Sequence, residues 1–195
     1  MELKREDLLS LEEYSNQRDE FRRKAMEEKK IRVVPVGPHV TMHFENRFLM
    51  QYQIQEMLRI EKIFDAEGVQ DELDAYNPMV PTGSNWKATQ MIEFPDPEER
   101  KKALAELVGI DRKTWVQVGD HDKVYAISDE DLERETEEKT SSVHFMRFEL
   151  TPEMVESAFA GAPIKVGIDH ENYRYETTLD DATRKSLVSD LRRDA

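Results

Sequence analysis

The chain of 195 residues contains no cysteine. That absence excludes disulfides, thiolate nucleophiles, and zinc or iron–sulfur clusters held by cysteine. Basic residues are in deficit: 28 Lys and Arg stand against 42 Asp and Glu, a formal charge of −14. So acidic a chain argues against broad binding to nucleic acid or anionic membranes, which require a basic face. No apolar run reaches the ~18–20 residues of a membrane span. The start, MELKREDLLSLEEY, lacks the apolar core of a signal peptide. We expect a cytoplasmic protein that binds neither nucleic acid nor membrane. Glycine is scarce, with seven residues, and the sequence holds no GxGxxG, Walker A or GxSxG motif. HExxH and paired Glu-x-x-His are missing too.

What is present fits one domain. Hydrophobic residues make up 38% of the chain, enough for a core at this length. Residues 1–30 carry nine acids and eight bases with a thin apolar stripe. They read as a charged helical segment of one or two helices packed on the body, with Ser10 and Glu13 as a capping box. Residues 31–195 read as an α+β domain. Residues 39–45 alternate, with Val40, Met42 and Phe44 on one face and His39, Thr41, His43 and Glu45 on the other. Asn46 then caps a helix over residues 47–64, whose inner side includes Glu61. Strands are expected over 87–94, 114–118, 123–127, 142–150, 164–170 and 173–178. Helices are expected over 97–108, from Thr151-Pro152, and over 180–193. Residues 128–140, with seven acids and two bases, read as an exposed helix or mobile loop. The fold class is therefore α+β, a single domain with a mainly antiparallel sheet of about six or seven short strands, helices packed on it, and N-terminal helices.

Without cysteine, the five histidines are the most versatile ligands and general bases. His43 and Glu45 share a strand face about 6.5–7 Å apart. His144 and His170 lie on the inward phase of their strands. A site of His43, Glu45, His144 and His170 would suit iron, zinc or manganese with an open position. Nothing in the spacing forces these residues together, and histidines bonded to backbone or solvent explain the same pattern. The helix NRFLMQYQIQEMLRIEKIF concentrates Gln51, Gln53, Gln55, Glu56, Arg59 and Glu61. Gln55, Glu56 and Arg59, joined by Arg147, are candidates to hold a polar or anionic ligand. A structural Gln–Glu–Arg network is the alternative.

The stretches VGPHVTMHFENR, QIQEMLRIEKI, DELDAYNPMVP, SSVHFMRFEL and VGIDHENY occur in this order. In them the chain resembles the bacterial domain-of-unknown-function 3501 family along nearly its whole length. The residues that carry the match include Phe44, Glu45, Asn46, Arg47, Gln53, Gln55, Glu56, Arg59, Glu61, Asn77, Pro78, His144, Arg147, His170 and Tyr173. The resemblance implies a single-domain protein, often encoded beside a rubrerythrin-like protein and an iron–sulfur oxidoreductase. That neighbourhood implies a link to redox or oxidative-stress metabolism. The expected function is a polar pocket between the 47–64 helix and the sheet that binds a metal or small anion. The alternative is an accessory protein that docks a redox partner through its acidic surface, notably residues 129–138. A homodimer through the N-terminal helices is compatible with both.

Overall fold

The computed structural model describes residues 1–130 and 133–195. Helix α1 spans Leu11–Arg32 as one continuous helix. It starts at the expected capping box: Ser10 Oγ accepts from Glu13 N, and the Glu13 carboxylate accepts from Ser10 N at 2.9 Å. Strands β1 (Val33–Val36) and β2 (Val40–Glu45) form a hairpin. Its turn uses Gly37 at φ 72°, where a Cβ would lie 2.6 Å from the Tyr173 and Tyr175 side chains. Along β2, Val40, Met42 and Phe44 are buried, and Thr41, His43 and Glu45 are half-buried on the other face.

Asn46 caps α2 (Arg47–Glu61), accepting from Leu49 N at 2.8 Å. α2 stops short of the expected end, because Lys62 enters the left-handed region at φ 54°. Leu58 is its last buried residue. Glu61, expected on the inner side, is exposed, since it lies on a turn beyond that packing. Next come α3 (Ala66–Tyr76), a 3-10 turn (Asn77–Met79), β3 (Asn85–Ile92), α4 (Pro97–Glu106) and a 3-10 turn (Asp111–Lys113). The chain then forms β4 (Thr114–Val118), β5 (Val124–Tyr125), β6 (Ile127–Ser128) and β7 (Val143–Glu149). It closes with α5 (Pro152–Phe159), β8 (Ile164–His170), β9 (Tyr173–Thr178) and α6 (Asp181–Val188).

The class is α+β and antiparallel, as expected. The strands number nine among the described residues and form two sheets, ordered β1-β2-β3-β7-β6 and β5-β4-β8-β9. The second sheet arises where residues 123–127, read as one strand, divide at Ala126. Val124 and Tyr125 pair with β4, whereas Ile127 and Ser128 pair with β7. Residues 128–140 form no helix in their described part; a bridge joins Glu135 to Thr140, and residues 131 and 132 lie outside the described residues.

The sheets face each other across a core that includes Phe44, Trp86, Met146 and Phe148 from one and Val116, Ile164 and Val166 from the other. Burial of such side chains is the main favourable term in folding. A second apolar cluster joins α1, α2 and α3 through Ala25, Leu49, Ile54, Leu58, Val69 and Leu73. Arg32, fully buried at the end of α1, fixes that helix to the C-terminal α6 region through a two-pronged pair with Asp190 at 2.8 Å on each arm.

Candidate functional site

The outer face of the five-stranded sheet and the helical layer enclose a cleft of about 540 Å³. That size suits a small organic ligand. Cross-strand register builds the floor: Glu45, Lys87, Arg147 and Ile127 lie in one row across β2, β3, β7 and β6. Thr89 and Phe145 stand in the next row, and α2 supplies Leu49, Met50 and Gln53 above them. α3 and its following turn add Tyr76, Pro78 and Met79, and α1 adds Lys29.

The charges on this floor are not equivalent. Arg147 donates from Nε to Glu130 at 2.6 Å and from Nη1 to Glu149 at 2.8 Å. Its charge is thereby answered. Lys87, beside it, is half-buried and has no ion-pair partner among the described residues. Burial, and then the neighbouring Arg147, push the Lys87 ammonium below its ordinary pKa. On the other side, Glu45 Oε1 accepts from Thr89 Oγ1 at 3.0 Å. Burial pushes the Glu45 carboxyl upward. The row thus presents an ammonium with no direct ion pair among the described residues, on which Glu149 and Glu130 act only at longer range, amid largely apolar walls.

The other expected ligand residues lie elsewhere. Gln53 faces the cleft, but Gln55, two positions on, points ~200° around the helix. There its amide clamps Leu9, accepting from the backbone N at 2.7 Å and donating to the O at 3.3 Å. Glu56 accepts from Tyr14 Oη at 2.6 Å and from Arg18 Nε at 2.8 Å, with Arg59 at 3.3 Å. Gln55, Glu56 and Arg59 therefore tie the N-terminal segment to α2, and of the four expected ligand residues Arg147 alone lines the cleft.

The structure does not bring His43, Glu45, His144 and His170 together. His43 pairs with Thr89, whereas His144 pairs with Gln90, which sits beside Met42. Odd and even positions face opposite ways, so His43 and Glu45 lie on the outer face and His144 on the inner one. His43 Nε2 bonds to Thr41 Oγ1 at 3.1 Å, and burial pushes its pKa down. His170 lies in the other sheet. Its Nδ1 accepts from Asn172 N at 3.1 Å, so Nε2 donates to the Val108 carbonyl at 2.8 Å. Both ring nitrogens are occupied. Among the described residues His144 instead meets Asp111 and Asp129. Sequence reading missed Lys87 and Asp111. The alternation of β3 places Lys87 beside Glu45, whereas no local signal marks Asp111.

The fold and site define a class: a two-sheet α+β protein with a helix-roofed, amphipathic cleft. The chain matches the model of the family described as "Protein of unknown function (DUF3501)" over residues 2–191, and it belongs to that family. It is similar to a novel protein of unknown function from Burkholderia pseudomallei K96243, whose crystal structure was determined at 1.90 Å. The two share 48% identity and superpose with a TM-score of 0.91, covering 98% of this chain and 100% of the other. No curated protein matches the chain. Among the described residues no helix is long and apolar enough to cross a membrane.

Proposed function

We propose that the protein binds a small organic anion with an apolar body in the cleft between α2, α3 and the five-stranded sheet. The observation that supports this reading is Lys87, a half-buried ammonium without an ion pair among the described residues, on the floor of an otherwise largely apolar cavity. A carboxylate, sulfonate or phosphate would supply the missing charge, and Phe145, Met50 and Met79 would cover the apolar part. Redox or oxidative-stress metabolism is the setting that the family resemblance implies for that ligand.

An aromatic sulfonate dye, 8-anilinonaphthalene-1-sulfonate, tests the reading by fluorescence titration of the folded protein. We expect saturable binding of one dye per chain, weakened at least about tenfold by Lys87→Glu, the equivalent of ~1.4 kcal/mol. Binding requires the ammonium form, so it weakens as pH rises through the lowered Lys87 pKa. Non-saturable binding, or equal binding by the variant, would refute the assignment. Metal content and organic acids that displace the dye then narrow the ligand.

Docking of a redox partner through residues 129–138 has less support. Asp129 pairs with Arg134 and His144, Glu130 with Arg147, and Glu135 with Arg112. A homodimer through α1 also has less, because Tyr14, Phe21 and Ala25 of α1 pack within the chain.

A further inference from the structure

We infer that the chain carries a buried site for one first-row divalent cation, formed by Asp111, Asp129 and His144. It is independent of the cleft, since it lies on the inner side of the five-stranded sheet. Asp111 comes from the 3-10 turn before β4, Asp129 follows β6 and His144 belongs to β7. One ligand atom from each lies within 4.8 Å of the other two. Asp111 is 3% exposed and His144 is 0% exposed.

The contacts of His144 leave Nδ1 as the imidazole nitrogen that faces Asp129. His144 Nε2 faces the Ser141 carbonyl at 3.1 Å and Thr140 Oγ1 at 2.8 Å. With its proton on Nδ1 the ring accepts from the Thr140 hydroxyl at Nε2; with its proton on Nε2 it donates to the Ser141 carbonyl. This carbonyl-bound arrangement is the usual outer support of a metal-ligating histidine. Nδ1 then directs its lone pair at the Asp129 carboxylate, which it contacts. Two acceptors in contact need a positive charge between them.

A proton on Nδ1 would serve Asp129 alone, whose Oδ1 also meets Arg134 Nε at 3.2 Å. It would leave Asp111 Oδ1, which is buried and has no hydrogen-bond partner among the described residues. Asp111 Oδ2 is already engaged by Ser128 Oγ. An uncompensated buried carboxylate oxygen is costly. A divalent ion satisfies both carboxylates and Nδ1 together. Gln90, the cross-strand neighbour of His144, is fully buried and its Oε1 is likewise without a donor. One imidazole with two carboxylates selects Mn²⁺, Fe²⁺ or Zn²⁺. The burial suits a closed structural ion that pins the β6–β7 connection to the turn before β4.

The test is metal analysis of the full chain purified without chelator, then thermal melts of chelator-stripped protein with added Mn²⁺, Zn²⁺ or anaerobic Fe²⁺. We expect about one equivalent per chain and a rise in Tm on adding back one of these ions. Asp111→Asn, nearly isosteric, should weaken binding by more than the roughly 10–100-fold seen for outer-shell changes. His39→Ala, at a half-buried histidine outside the cluster, should bind as the parent does. Only traces of metal with no shift in Tm would overturn the site, and Nδ1 protonation would then explain the cluster. Full binding by a folded Asp111→Asn variant would overturn it equally, as surface chelation.

Discussion

Replacing Arg32 by alanine is expected to destabilise the fold by about 3–5 kcal/mol, the range for removing one partner of a buried ion pair. Arg32 is 1% exposed and sits in the last turn of α1. Its Nη1 and Nη2 meet both Asp190 oxygens at 2.8 Å, while Nη2 also donates to the Ser186 carbonyl at 2.8 Å. Nη1 reaches the Glu45 carbonyl at 3.2 Å, and Nε reaches Ser186 Oγ at 3.0 Å. One guanidinium therefore joins α1, the end of β2 and the chain after α6. Truncation leaves Asp190 buried and unpaired, and burial already pushes its carboxyl upward against the Arg32 pairing. Lysine cannot reproduce the planar fork, so Arg32→Lys should recover only part of the loss. Urea unfolding measures this as a lower midpoint at an unchanged slope. A loss below ~1 kcal/mol would show that the network relaxes around the gap.

The second large effect is expected at the other end of α1. Glu56→Ala removes the carboxylate shared by Tyr14, Arg18 and Arg59, at an expected cost of about 2–3 kcal/mol. The Glu56 side chain is 12% exposed, against 31% for Arg18, so the cluster is only partly screened. Burial pushes the Glu56 pKa up, but Arg18 and Tyr14 together outweigh it and hold the carboxyl at about 2. The unfolded chain binds that proton near the usual 4.5. A lowered carboxylate stabilises the fold above its unfolded pKa, and that stability fades as pH falls from about 4.5 to about 2. Glu56→Ala should therefore flatten the acid limb of a stability–pH curve over that window. An unchanged limb would place the acid sensitivity elsewhere. Arg32 and the α1 partners of Glu56, Tyr14 and Arg18, lie at opposite ends of α1, so the two effects should add.

Local features were legible because adjacent residues carry them. The Ser10–Glu13 box, the Asn46 cap and the Thr151-Pro152 start each use side chains within one helical turn. The alternation of β2 put Glu45 on the face that became the cleft floor. The expected site was partly legible for the same reason. A pocket between α2 and the sheet exists, and it contains Glu45 and Arg147. Gln55, Glu56 and Arg59 misled because polar density on a helix does not say which neighbour each face meets. Here that face meets residues 9 to 18, not the sheet.

The amino-acid order by itself determined the α+β class, the antiparallel pairing by short links, the helix starts, and the chemistry excluded by having no cysteine. Those follow from periodicity, capping and composition, which act over a few residues. Tertiary structure decided which strands share a sheet, that His43 and His144 look in opposite directions, and that Arg32 finds Asp190 across 158 positions of chain. It also brought Asp111, Asp129 and His144 within reach of one ion. Such contacts depend on how two sheets and a helical layer close over a shared core, and no local pattern encodes which distant side chains that closure places in contact.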